Sequence, residues 1–230
     1  MFIDGIKLLF QGGPMMVPLL ICAIVSVAVM VERYLFLSRA GRFGQDLMAR
    51  VLPLLEAGRD EEARRYATAR PGPVSDIVVE AIGARTLDPK LIEQRLQEKA
   101  LVETPKLMKR LSVLDTIITI SPLLGLLGTV TGMIRAFHVV GDPSTMNGPA
   151  AITGGVAEAL IATATGLAIA IVTLVGYNFL GEKVKTLVST MEIAATQTVN
   201  VFSARSALTA PPPIPTAPPI PSHEVSQTRA

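Results

Sequence analysis

The chain of 230 residues has no tryptophan, three tyrosines, two histidines and one cysteine. A lone cysteine cannot close an internal disulfide, and Cys22 lies in an apolar run, where it reads as a small buried residue. His138 has no second histidine or cysteine beside it, so no metal site is expected. So few large aromatics leave only a thin aromatic belt for a membrane interface. The formal net charge is only +2, which gives the chain as a whole no pull towards nucleic acid. There is no P-loop, no nucleophile elbow, no HExxH and no CxxC. Nothing points to covalent chemistry, so neither an enzyme activity nor a cofactor is expected.

What the chain has in abundance is apolar sequence. Half of it is hydrophobic and its mean hydropathy is +0.47, too apolar for an ordinary soluble domain. Three stretches carry no charged side chain: Leu8–Val31, Thr116–Ile134 and Ala159–Gly181. At about 1.5 Å per residue, each is long enough for a hydrocarbon layer roughly 30 Å thick. These stretches predict membrane helices over 14–37, 111–138 and 154–181, with 1–13 as an external or interfacial segment and 139–153 as a short periplasmic loop. The first reads as an uncleaved anchor. Lys7 is the one positive side chain before it, no small-residue cleavage site follows, and Glu32-Arg33 comes directly after it.

Between the first two runs, residues 38–110 hold most of the lysines and arginines and read as a helical domain in water. Leu47, Val51, Leu54 and Leu55 recur at helical spacing, as do Ile77, Val78, Ala81 and Ile82. Arg70-Pro71-Gly72-Pro73 marks a turn, and Asp88-Pro89 an N-cap with proline at the first helical position. From there the helical pattern runs on into the second apolar run, with Pro105 as a kink point. Residues 182–208 predict a C-terminal helix, and 209–230 a proline-rich tail outside any core. The 139–153 loop has no lysine or arginine, whereas 38–110 and 182–208 do. The positive-inside rule then predicts the N-terminus outside the cell, and the 38–110 segment and the C-terminus in the cytoplasm. The expected fold class is an all-α membrane protein, its three membrane helices continuing into a cytoplasmic helical domain.

A few polar groups stand out against this background. Glu158 lies one turn into the third run, where a carboxylate costs at least about 2.5–3.5 kcal/mol near the bilayer centre. It reads either as a water-exposed interfacial acid or as part of an aqueous path. Thr165 lies about 20° from Glu158 around the helix axis and Thr163 about 140° from it. One straight helix therefore cannot aim Glu158 and Thr163 along the same line. In the second run Pro122, Gly125, Thr129, Gly132 and Ala136 form a stripe of small residues, and Gly128–Gly132 has GxxxG spacing. Packing is the plain role for Pro122, Gly125, Gly128, Gly132 and Gly166. Thr129 reads equally as a path residue or as a hydroxyl bonded to the carbonyl of Gly125 four residues back. Asp115 reads as an interfacial acid or a helix–helix partner.

SPLLGLLGTVTGMIRAF (121–137), followed after a short loop by GGVAEALIATATGLAIAI (154–171), resembles the ExbB/TolQ family, the three-helix branch of the proton-driven motors related to MotA. The resemblance covers about residues 10–205. It implies a pentameric ring of this homo-oligomer in the lipid bilayer of a bacterial inner membrane, with the N-terminus in the periplasm and the C-terminus in the cytoplasm. The second and third helices would enclose the single membrane helices of an ExbD/TolR-type partner bearing an essential aspartate. It also implies coupling to a TonB- or TolA-type transducer, with Thr129 and Thr163 matching the pore threonines and Glu158 the family glutamate. A passive scaffold and a TolQ- or gliding-type motor with another load are the alternatives. The proline-rich tail is not part of that pattern.

Overall fold

The computed structural model describes residues 12–140 and 148–209. Most of the 1–13 segment, residues 141–147 of the expected loop and the tail beyond Thr209 lie outside the described residues. Six helices follow one another: α1 (Met16–Glu56), α2 (Asp60–Thr68), α3 (Pro73–Gly83), α4 (Pro89–Met108), α5 (Leu111–Val140) and α6 (Gly148–Thr209). No strand occurs among the described residues. Helices α1, α5 and α6 are long and apolar enough to cross a membrane. The chain is therefore an all-α membrane protein with three spans, each running on into, or directly joined to, a polar helical body.

The spans do not end where their apolar runs end. Helix α1 continues for 41 residues and α6 for 62, the latter roughly 90 Å of unbroken helix at about 1.5 Å per residue. The stretch 182–208 is thus not a separate helix. Helix α6 also starts at Gly148, inside the segment read from sequence as loop. The unbroken pattern expected from Asp88 into the second span is interrupted at Lys109-Arg110. Pro105 lies inside α4 and does not itself end it. It has no N–H for the Leu101 carbonyl, and its ring crowds that carbonyl. Lys109 still keeps helical dihedrals (φ −49, ψ −37), so α4 delivers the chain directly into α5. Asp88 caps α4 by accepting the Lys90 amide at 2.9 Å.

Beyond the spans, α2–α4 and the polar halves of α1 and α6 close around one apolar core. Leu47, Leu55, Ile77, Ile82, Leu187 and Met191 are all buried in it. Gly58, at φ 76, makes the sharp turn between α1 and α2 that a side chain would strain. Asp60, just after that turn, lies between Arg205 (2.6 Å) and Arg85 (3.4 Å), and Arg205 also donates to the Leu55 carbonyl at 3.1 Å. The far end of α6 is thereby tied to the α1–α2 turn.

Glu103 on α4 is nearly buried, with Lys106 at 2.8 Å and Lys99 at 3.1 Å. Burial pushes its carboxyl upward, but the hydrogen bonds from Lys106 and Lys99 outweigh that and hold it below the usual 4.5. A carboxylate lowered on folding stabilises the fold above its unfolded pKa and stops doing so as pH falls through the folded value. Glu103→Gln is expected to lower thermal stability at neutral pH by an amount on the order of 1 kcal/mol. Circular-dichroism melts should show that deficit shrinking as the pH drops below the usual carboxylate value.

Candidate functional site

The hairpin of α5 and α6 is built on a seam of small residues. Within the membrane hairpin, the buried seam positions on α5 are Ser121, Gly125, Gly128, Gly132 and Ala136. On α6 they are Ala159, Ala162, Gly166, Ala170 and Thr173. There is no room for a methyl group at the glycines. A Cβ on Gly125 would stand 3.0 Å from the Thr163 Cα, one on Gly128 2.6 Å from the Ala162 Cβ, and one on Gly132 3.0 Å from the Gly155 carbonyl. A Cβ on Gly166 would stand 2.5 Å from the Ser121 carbonyl. Pro122 is half-buried beside this seam. Backbone thus meets backbone along the hairpin, a geometry that small residues permit in lipid.

That closeness decides what the threonines do. Thr116, Thr119, Thr129, Thr131, Thr165 and Thr173 each donate to a carbonyl three or four residues back in their own helix. Thr163 instead crosses the seam and donates to the Gly125 carbonyl at 2.9 Å. Since Gly125 has no side chain, the two backbones come near enough for this bond. It also redirects Thr129. The Gly125 carbonyl, the partner in one of the two roles read for Thr129 from sequence, accepts from Thr163, and Thr129 donates to Leu126 at 2.6 Å.

Glu158 lies elsewhere. Its Oε1 is 2.6 Å from the Arg135 guanidinium near the C-terminal end of α5, and the side chain is 24% exposed. That oxygen accepts no hydrogen bond, so the contact is one of charge with charge. The Glu158 carboxylate also presses on Gly13, where a Cβ would overlap it. At φ 67, Gly13 adopts a left-handed conformation suited to glycine just before α1 begins. Further down α6, Gly176 sits against Met30 of α1. The α1 helix therefore covers the Glu158 side of the hairpin. Stepping about 100° per residue from Glu158, the buried seam comes first and Thr163 lies on its far side. On α5, Gly128 meets Met15 beside α1, Gly125 lies deeper in the seam, and Thr129 is on the flank beyond.

The structure thus brings Thr129 and Thr163 together on the flank that α1 leaves open. Glu158 it sets apart, on the covered side with Arg135. Asp115 is exposed near the start of α5, away from the buried seam. Sequence reasoning missed Arg135 as the partner of Glu158. The available signal was the mirrored pair Gly132/Ala136 and Gly155/Ala159, which sets the register of the hairpin and places position 135 opposite 158. Among the described residues no cluster of three His, Cys, Asp or Glu side chains forms a metal site.

Substitution of the seam glycines tests this geometry. Gly125→Ala and Gly166→Ala are expected to destabilise the protein by about 1–3 kcal/mol, as overpacking does. Gly154→Ala and Gly181→Ala, where a Cβ meets nothing within 4 Å, should change little. Thermal unfolding in mild detergent makes the comparison.

Residues 70–193 match the MotA/TolQ/ExbB proton channel family. Over 168 residues the chain is 34% identical to the putative biopolymer transport protein ExbB-like 3 of Synechocystis sp., covering 73% of this chain and 80% of that one. It is 28% identical over 210 residues to the biopolymer transport protein ExbB of Neisseria meningitidis, covering 83% and 94%. To the ExbB of Aquifex aeolicus it is 40% identical over 92 residues, covering 40% and 61%.

Proposed function

We propose that this chain, which belongs to the MotA/TolQ/ExbB proton channel family, is the ring-forming subunit of an inner-membrane motor that couples the proton motive force to an envelope transducer. Five copies would enclose the single membrane helices of an ExbD/TolR-type partner, each with one aspartate. A TonB- or TolA-type transducer would take up the motion. The observation that carries this reading is the placement of Thr129 and Thr163 on one flank of the α5–α6 hairpin, opposite the side packed by α1. In a ring, that flank faces the enclosed helices and α1 faces lipid. Both hydroxyls already donate to carbonyls, but each oxygen keeps lone pairs that accept a hydrogen bond. A protonated aspartic acid donates one proton and finds acceptors there, whereas the ionised form does not. Loss and gain of a proton then changes where the partner helix rests. Each charge crossing the membrane supplies about 2.3 kcal/mol per 100 mV.

Under this reading the N-terminus is periplasmic, and Arg135 and Glu158 stand at the periplasmic mouth. There they form a neutral pair that tunes the approach of cations. A passive scaffold for the partner draws on the same contacts, since Thr163 ties two helices and Glu158 ties α1 to the hairpin. Proton flux separates the two.

In proteoliposomes holding the assembled complex, Thr163→Ala and Thr129→Val should cut partner-dependent proton flux at least tenfold. Both should leave the complex intact on a native gel, because a hydrogen bond between membrane helices averages only about 0.6 kcal/mol. Flux equal to wild type in both variants selects the scaffold. Arg135→Gln, which leaves Glu158 without its cation, should alter flux less than Thr163→Ala and change its dependence on external pH.

A further inference from the structure

Where α1 leaves the membrane, a groove of about 470 Å³ opens between it and the turn joining α2 to α3. Its α1 wall is a stripe at helical spacing that includes Leu35, Phe36, Arg39 and Phe43. Its other wall is the turn at Arg70 and the first residues of α3. Twenty residues of helix counted from Met16 span a hydrocarbon layer roughly 30 Å thick and end near Phe36. Arg39 is then about 5 Å past that edge, within a headgroup layer roughly 5–7 Å deep on each side. Val74 lies against Gly44 of α1, about 12 Å past that edge, which sets the α2–α3 turn on the water side of the headgroup layer.

The wall chemistry is divided as an amphiphile is. Leu35 and Phe36 are 47% and 43% exposed, large apolar surfaces at the membrane side, while Phe43, about two turns further along α1, is 55% exposed at the opposite end of the groove. Arg39 and Arg70 stand at the water side, and among the described residues neither meets a carboxylate. The Arg70 guanidinium is held in place by stacking 4.0 Å above the Tyr66 ring. The carboxylate in the groove wall, Glu32, is matched already, with Arg110 at 2.8 Å and Arg33 at 3.1 Å. The start of α3 adds to the positive end. Its N-cap is Gly72, which offers no side-chain cap; Pro73 has no N–H, so the Val74 and Ser75 amides are the first-turn donors left uncapped at the positive end of the helix dipole.

We propose that this groove is a binding site for an anionic phospholipid of the leaflet on the side of the helical body. The phosphate sits between Arg39 and Arg70, and an acyl chain lies along Leu35 and Phe36. The inference does not depend on proton conduction. The lipid would fix the angle between the spanning half of α1 and the helical body by filling the notch between them.

The absence of native tryptophan makes the test direct. Phe36→Trp in the full-length protein supplies a single fluorophore at the membrane end of the groove, and Phe43→Trp a second, independent one. Each is reconstituted with phosphatidylcholine containing a minor fraction of either phosphatidylglycerol or phosphatidylcholine brominated near the headgroup. The expected result is preferential quenching by the brominated phosphatidylglycerol, with a preference of about fivefold for each arginine involved. Arg39→Gln should weaken that preference about fivefold, and Arg39→Gln with Arg70→Gln should abolish it. Equal quenching by the two lipids in the parent reporters overturns the proposal without reference to any further variant. A preference that survives both substitutions overturns it too. So does a preference erased by millimolar inorganic phosphate but kept in chloride of the same ionic strength, because the site would then hold a small free anion.

Discussion

Everything near the candidate site depends on how closely two helices approach. The α5–α6 seam is lined by glycine, alanine and hydroxyl residues, so contact is made by backbone atoms instead of long side chains. In a hydrocarbon solvent burying apolar surface gains little, and close van der Waals contact with short polar bonds must supply the cohesion. Gly125 shows the consequence at one position. Because it has no side chain, its carbonyl is within reach of Thr163, and because Thr163 takes that carbonyl, Thr129 turns to Leu126. Two hydroxyl orientations thus follow from one missing methyl group.

The same seam separates two kinds of polarity. On one side Glu158 and Arg135 neutralise each other beneath the start of α1. On the other, Thr129 and Thr163 offer oxygen acceptors without charge. A wall facing a membrane carboxylate in its own subunit complex gains from that division. A fixed anion there would repel the ionised partner, and a fixed cation would trap it. Neutral acceptors do neither, and they discriminate between the protonated and the ionised acid by hydrogen bonding alone.

Much of the architecture could be read from one-dimensional patterns. Charge-free runs of membrane length reported the three spans, and Asp88-Pro89 reported the start of α4, because span length and capping are local properties. The continuity of α6 past Gly181 was not legible. Glu182, Lys183 and Lys185 look like a boundary, but a helix can cross from lipid into a protein core without breaking when both stretches are helical. The pairing of Arg135 with Glu158 was hidden for another reason. They are separated by 23 positions, and only the register of the hairpin brings them together. The 140° between Glu158 and Thr163 was visible on a helical wheel. What sequence alone could not say was which side α1 covers.

These features bear on what moves in a complex of the proposed kind. Helix α6 is one rod from its start at Gly148 to the far end of the helical body, where Arg205 fastens it to Asp60. Bending that rod would break backbone hydrogen bonds in lipid, each a loss of several kcal/mol with no water to replace it. Sliding α5 against α6 would drive backbone into backbone along the seam. One charge moving through about 100 mV supplies only about 2.3 kcal/mol, less than either distortion requires. A protomer built this way is suited to be a fixed wall. In the proposed complex the inexpensive motion would be rotation or displacement of an enclosed helix, whose side chain would change acceptors from one threonine to the next while the wall keeps its shape.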